Sequence, residues 1–304
     1  MYYSAFDLIF KSKDLLLPEL KKIELINGNY DVLIQKDNHK NWPSIEKGKY
    51  DTEFLKMSKN DFRLSIKGIA EFRVLNGNKI YWDKTNEKVM GNDIKAFLYS
   101  SVFGALLIQR DNIVLHGNAL TKNKKLIICL GKSGVGKSTI SYILMKNGWE
   151  LISDDLVLIN NNSQVSIGIQ RIKLWENTLK ALNIKNSRLE KVRPNINKYL
   201  INKSDLILAK ETYPISAIYI LYSENDIQSN NKDLNIINIK KEQTKLFLLR
   251  ENFFRPRIVK GLGKEAIYFS KLTRLIRNHP ISLLSLPRGI IKMEKFLINT
   301  FNNI

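Results

Sequence analysis

A single cysteine, Cys129, stands in the 304-residue chain, which excludes an intramolecular disulfide and any metal site built from several thiolates. Long apolar runs are missing too. The most apolar stretch, Ile94 to Ile108, is interrupted and falls short of the roughly 20 residues that a bilayer crossing needs. The opening, MYYSAFDLIFKSKD, lacks a basic start followed by an uninterrupted apolar core and a small-residue cleavage site, so no secretory leader is expected. There are no internal repeats. Together these absences read as a cytoplasmic protein without a membrane span. Acidic residues are also in short supply: 29 Asp and Glu face 49 Lys and Arg, a net charge of +20. Such a field attracts phosphate-bearing or acidic partners at long range. It does not by itself indicate nucleic acid, because no aromatic-basic recognition motif accompanies it, and a chain rich in Lys, Asn and Ile carries lysine for compositional reasons as well.

What is present is an ordinary globular composition, 44% apolar and 26% charged, in a chain long enough for two domains. The pattern changes near residue 92. Residues 1–92 predict an N-terminal β-rich domain. GIAEFRVL and NKIYWD flank Asn76-Gly77, whose tolerance of positive φ suits a two-residue hairpin turn, and YDVLIQKD from Tyr30 predicts a further strand. The lysine-rich stretch from Asn38 to Lys49 reads as a loop, and nothing in this region forms a catalytic constellation. Residues 93–304 predict a catalytic domain with a helical C-terminal region. From Asn92 to Arg110, residues Ile94, Phe97, Leu98, Ser101, Val102, Ala105 and Leu106 fall on one helical stripe. NIVLHGNAL and KLIICL predict adjacent strands joined by the turn TKNKK, and IYILYS, from Ile218 to Ser223, predicts a buried strand. Beyond Lys240 the chain reads as mainly helical, with Pro287 suited to the start of the last helix.

Gly131-Lys132-Ser133-Gly134-Val135-Gly136-Lys137-Ser138 satisfies G-x-x-x-x-G-K-[ST] between a strand-like and a helix-like run, the context the motif requires. Glycines let successive backbone N–H groups turn toward phosphate oxygens, and the following helix adds its positive end. Lys137 is then placed to reach the β and γ phosphates and the Ser138 hydroxyl to ligate Mg2+, with Thr139 next along the nucleotide-binding turn. A helix from Lys137 to about Asn147 should end at Gly148 in the left-handed conformation. If the strand WELIS then runs parallel to KLIICL, as a right-handed crossover requires, its C-terminal end lies beside the phosphates. Asp154 and Asp155 emerge there. One carboxylate can hold the metal, and its neighbour, pointing another way, can take a proton from an incoming hydroxyl.

This compact loop-to-aspartate spacing resembles the core of HPr serine kinase/phosphorylase, whose fold is related to that of phosphoenolpyruvate carboxykinase. Leu115-His116-Gly117 places its His-Gly pair fifteen positions before Gly131, as in that enzyme, and Asp154-Asp155 follows the loop at the same spacing. The resemblance implies an α/β P-loop core, with Asp154 as general base, Asp155 supporting the metal and phosphates, and His116 near the γ-phosphate. Two features depart from it: Thr139 replaces the acidic residue after the loop serine, and IGIQRIKLW stands where that enzyme has a glycine-rich segment. The rest of the chain is similar to HPr-kinase-related proteins of bacterial biosynthetic clusters, including lasso-peptide kinases that phosphorylate a precursor's C-terminal serine. YYSAFDLIFKSKDLLLPEL, IVLHGNAL, RIKLW, VRPNINKYL and NFFRPRIVKGLG carry that similarity.

Arg193 and Lys198, and Arg255 and Arg257, lie beside prolines and can clamp a phosphoryl group or a peptide carboxylate; each reads equally well as a solvated charge. From Lys241 to Ile304 there are thirteen basic and four acidic residues, a field for an acidic peptide. Phe247, Phe253, Phe254 and Phe269 read as core before they read as a peptide groove. The expectation is an ATP- and Mg2+-dependent serine kinase acting on a precursor peptide. An HPr-type kinase acting on a small folded acidic protein, a nucleotide-binding regulatory protein and a homo-oligomer stay open.

Overall fold

The computed structural model describes residues 1–25, 28–193, 196–202, 212–223 and 235–301; the side chains of Arg193 and Asn202 are outside the description. Among these residues eight strands build a first sheet: β1 (Tyr2–Ala5), β2 (Leu8–Ser12), β3 (Lys21–Ile23), β4 (Val32–Lys36), β5 (Leu55–Ser58), β6 (Asp61–Ile66), β7 (Ala70–Leu75) and β8 (Lys79–Lys84). They lie in the order β3-β1-β2-β4-β8-β7-β6-β5, antiparallel except for the β2–β4 and β4–β8 pairs. The expected two-residue turn at Asn76-Gly77 is instead a three-residue loop. Leu75 pairs with Lys79, and although Asn76 and Gly77 do take positive φ, Asn78 joins them in the turn.

Helices α1 (Gly91–Phe97) and α2 (Phe103–Gln109) form one rod through a π-helical turn at Leu98–Val102. The stripe predicted from the sequence is only part of what they bury. Leu98, Tyr99, Val102, Phe103 and all of Ala105 to Ile108 are buried, because the rod lies between two sheets, and a helix enclosed all round has no solvent face to keep polar. Phe103 stacks on Phe10 at 5.0 Å and meets Phe6 edge-on at 6.2 Å, which ties the first sheet to the rod.

The second sheet is built from β9 (Ile113–Lys122), β10 (Lys125–Leu130), β11 (Glu150–Ile159), β12 (Gln164–Ser166), β16 (Thr212–Tyr222), β17 (Ile236–Asn238) and β18 (Ile281–Ser285). A smaller antiparallel sheet joins β13 (Arg171–Trp175), β14 (Lys191–Arg193) and β15 (Ile196–Asn202). The predicted TKNKK turn is a two-residue hairpin: Lys122 pairs with Lys125, and Asn123 and Lys124 both have positive φ. β10 runs parallel to β16, and β16 parallel to β18. Leu126, Ile128 and Leu130 face the cluster shared with the helical rod, while Ile127 and Cys129 face a second cluster. That alternation buries β10 on both sides, and burial pushes the Cys129 thiol up to about 12.

The second cluster is roofed by α3 (Lys137–Lys146) and α8 (Ile290–Phe301), with Phe301 against Trp149 and Tyr219. The remaining helices are α4 (Glu176–Ala181), α5 (Glu242–Glu251), α6 (Pro256–Gly261) and α7 (Glu265–Asn278). Gly148 ends α3 with φ 83, as expected. Pro287 does not start the last helix, because Gly289 at φ 89 delays α8 to Ile290. Among the described residues no helix is long and apolar enough to cross a membrane.

Candidate functional site

The centre of the site is a three-strand register. Gly117 in β9 pairs with Leu130 of β10 on one side and with Asp155 of β11 on the other. β10 and β11 are both antiparallel to β9, so they run in the same direction, as the sequence predicts, but with β9 inserted between them. Gly117 is needed for closeness: a Cβ there would lie 2.6 Å from both the Cys129 carbonyl oxygen and Leu130 Cδ2. Next to it, Asn118 is buried and its Nδ2 donates to Ser141 Oγ at 2.6 Å, which pins α3 to β9.

The loop leaves β10 at Gly131 and enters α3 through Gly136, with φ of 139° and 111° that side chains disfavour. Lys137 is buried beneath it and donates from Nζ to the Gly131 oxygen at 2.5 Å and the Lys132 oxygen at 3.0 Å. Burial lowers its pKa, against the opposing pull of Asp155 and Asp154. Ser138 and Thr139 follow in the first turn of α3.

The aspartates do not emerge beyond a strand end, as the sequence suggests; they lie in the middle of β11. In a regular strand neighbours face opposite sides, yet Asp154 and Asp155 line the same cavity. Two irregularities account for this. The register steps from Leu151–Leu120 to Ser153–Ala119, leaving Ile152 as a bulge, and Asp155 takes a left-handed φ of 72°. A non-glycine residue in that region costs about 1–3 kcal/mol, which the surrounding packing must offset.

The cavity, about 230 Å³, brings together His116, Asn118, Ser133, Gly134, Gly136, Lys137, Ser138, Thr139, Asp154, Asp155, Lys173 and Lys198. His116 Nδ1 is 3.2 Å from Asp155 Oδ1, and Lys173 Nζ is 2.8 Å from Asp155 Oδ2. Burial alone would raise Asp155, but the Lys173 ammonium and the His116 imidazole overcome it and hold this carboxyl well below the usual range. Asp154 behaves oppositely. Its burial and the adjacent Asp155 charge outweigh Lys173 and raise it to about 6. Burial likewise opposes the charge on Lys173, but the two carboxylates prevail and its pKa is raised. Lys198 is lowered, by burial and then by Lys173.

Lys173, Asn118 and Trp175 are the site residues that sequence reasoning missed. The available signal was RIKLW itself, a lysine between two apolar residues in a strand, where burial demands a partner. Lys198 does reach the cavity, opposite Trp175 in the β13–β15 register and 5.3 Å from its ring centroid. Arg193 closes β14, but its side chain lies outside the described residues. Arg257 is exposed on α6 and is not among the residues that line this cavity or the two beside it.

Two further cavities adjoin the loop. One of about 870 Å³ shares His116 and Asp155 with the first, and Gly131, Lys132, Val135 and Arg255 front it. Another of about 480 Å³ shares Gly134, Gly136, Thr139 and Thr178 with the first and is bounded by Leu286 to Ile290. The donor set of the small cavity fits a polyanion with one divalent cation. Three lysines and the start of α3 meet negative charge, and a cation would share Asp155 with Lys173 and His116, beside Asp154. Among the described residues no three His, Cys, Asp or Glu side chains form a metal cage; Mg2+ held by one or two carboxylates and substrate phosphates needs none.

Fold and site together define a mixed α/β protein in which a strand, a glycine loop and a helix face a strand carrying paired aspartates. No protein family and no curated protein matches the chain. Among solved structures, the HPr(Ser) kinase/phosphatase from Coxiella burnetii aligns with 62% of this chain and 97% of its own, at 13% identity and a TM-score of 0.30. A superposition at that score leaves the site to be read from its own geometry.

Proposed function

We propose that this chain is an ATP- and Mg2+-dependent kinase that phosphorylates a serine hydroxyl, with the C-terminal serine of a lasso-type precursor peptide as acceptor. The observation that carries this reading is the meeting of Lys137 and Ser138 from the glycine loop with His116, Asp154 and Asp155 in one small cavity. Mg-ATP, when bound, supplies the phosphoryl group and part of the charge that offsets its oxygens. Lys137 now donates to two loop carbonyls, and phosphate oxygens are stronger acceptors for the same ammonium. Ser138 and Asp155 would hold the metal, Asp155 being kept ionised by Lys173 and His116. Lys198, with Lys173, meets phosphate charge from the opposite wall, and the cavity beyond Thr139 and Thr178 is left for the nucleoside.

Asp154, raised to about 6, is ionised at neutral pH yet basic enough to accept a proton. The serine oxygen forms its bond to the γ-phosphorus as the bond to the bridging oxygen breaks, ADP leaves with that electron pair, and the hydroxyl proton passes to Asp154. Catalysis of this kind is positioning and charge stabilisation.

The test is to incubate the chain with Mg-ATP and either a flexible serine-ended peptide or a folded acidic carrier protein, and to follow the mass of each acceptor. The peptide should gain one phosphoryl group, and Lys137→Ala should lose most of this activity while its circular dichroism stays that of the parent. Nucleotide binding with transfer to neither acceptor would sink the kinase reading, and transfer to the carrier alone would replace the acceptor.

A further inference from the structure

The 870 Å³ cavity adjoins the phosphate cradle at His116 and Asp155, which line both spaces. An acceptor hydroxyl approaching the cradle past them has the rest of its chain in the larger chamber. The walls there are more apolar than an ordinary protein surface, with Glu251, Asn252 and Arg255 among them. α5 turns Phe247 into the cavity at 61% exposure, beside Leu248, and Phe253 and Phe254 close it from the chain that follows. A phenylalanine left in water over an open cavity forfeits a burial worth about 1.5–3 kcal/mol, so the fold itself gains nothing from its position.

Arg255 supplies an independent observation. It lines the same chamber, and its backbone is left-handed, φ 48° and ψ 74°, immediately before Pro256. Residues before proline favour extended conformations, and a non-glycine residue in this region is strained. Its guanidinium carbon is 5.6 Å from the Phe254 ring centroid, within cation–π range.

We infer that this chamber binds the acceptor segment, with Phe247 and Phe253 receiving a bulky apolar side chain immediately before the serine and Arg255 pairing with the terminal carboxylate. This rests on the serine-kinase reading of the adjoining cradle. It adds a sequence requirement to that reading: apolar next to serine, with a free carboxylate. Arg255 and Lys132 bring positive charge to a chamber that also holds Glu251 and Asp155, and among these groups the guanidinium is the one able to pair with a carboxylate through two bonds. The volume accommodates more than one large side chain.

The experiment measures fluorescence anisotropy of dye-labelled peptides ending in Phe-Ser, in Asp-Ser and in Phe-Ser-amide, with a non-hydrolysable ATP analogue and Mg2+ present. The Phe-Ser acid should bind about tenfold or more tightly than the Asp-Ser acid, the scale of burying one aromatic side chain. Phe247→Asp should erase that ratio, and Arg255→Gln should erase the difference between acid and amide. Phe247 and Arg255 are exposed, so thermal unfolding of both variants should match the parent. Equal binding of the Phe-Ser and Asp-Ser acids, a ratio that survives Phe247→Asp, or no binding at millimolar peptide overturns the inference. Selective binding without phosphoryl transfer from ATP would leave the groove standing and remove the kinase reading; transfer without selectivity would do the reverse.

Discussion

Lys173 Nζ lies 2.8 Å from Asp155 Oδ2, on a carboxylate whose other oxygen meets His116 at 3.2 Å. Lys173 and Asp155 come from β13 and β11, in different sheets, so this side-chain contact adds to the backbone bond from Asp154 N–H to the Ile169 oxygen just before β13. Lys173→Met should lower transfer by about tenfold or more, because Asp155 loses the charge that fixes it in its left-handed position. A double-mutant cycle with Asp155→Asn should show a coupling of about 0.5–3 kcal/mol in stability. Strictly additive effects would mean that the ion pair does not organise the site.

The two aspartates should separate in kinetics. Under the proposed mechanism Asp154 is the base when the hydroxyl attacks, so Asp154→Asn should lower kcat by roughly 10²-fold or more with little change in nucleotide affinity. Asp155→Asn should weaken Mg-ATP binding and turnover together, with partial recovery at higher Mg2+. Nucleotide titration with and without Mg2+, beside single-turnover transfer to a serine-ended peptide, distinguishes them. Exchanged phenotypes would reverse the roles while leaving the geometry intact.

Gly117→Ala tests the three-strand register. A Cβ 2.6 Å from the Cys129 oxygen cannot be accommodated without parting β9 from β10, and overpacking of this kind costs about 1–3 kcal/mol. The urea midpoint should drop accordingly, and nucleotide affinity should weaken because the glycine loop begins one residue beyond Leu130. Parent-like stability would show that Gly117 is not held between Leu130 and Asp155.

A pH effect is expected far from the site, at Asp61. Burial would raise this carboxyl, but hydrogen bonds from Arg63 and Arg73, the latter's Nη2 at 2.8 Å, hold it below the ordinary value of 3.8. A depressed folded pKa means that the stabilisation is complete above the unfolded value and is lost as pH falls from there through the folded one. Asp61→Asn should therefore cost about 1–3 kcal/mol at neutral pH. The gap between parent and variant, followed by urea unfolding, should hold down to about pH 5 and close below 3.8. A gap independent of pH across that range would assign the loss to packing.

The glycine loop, the strands on either side of β9, the helix that follows and its stop at Gly148 were legible because each is local: periodicity, turn residues and one spacing specify them. His116 and the aspartate pair could be singled out from their distances to the loop. Lys173 could not, since nothing in RIKLW says which carboxylate a lysine on that strand will meet. Nor could the shared facing of Asp154 and Asp155, which strand alternation forbids and which a bulge at Ile152 and a left-handed Asp155 produce. The four phenylalanines show the same limit. All read as core, and Phe254 is buried and Phe253 half-buried against the core, but the packing of α5 leaves Phe247 open onto a chamber and Phe269 is exposed elsewhere at 57%.

By itself, then, the sequence determined a glycine loop between strand and helix, a histidine and two carboxylates at set distances from it, and a strongly basic chain. Only the tertiary structure decided which cations face those carboxylates, that one carboxyl is raised and its neighbour depressed, and that the cradle opens onto an apolar chamber. The reason is physical. Backbone preferences act over a few residues, whereas pKa values and cavity walls depend on charges and rings that strands distant in sequence bring within a few ångströms of one another.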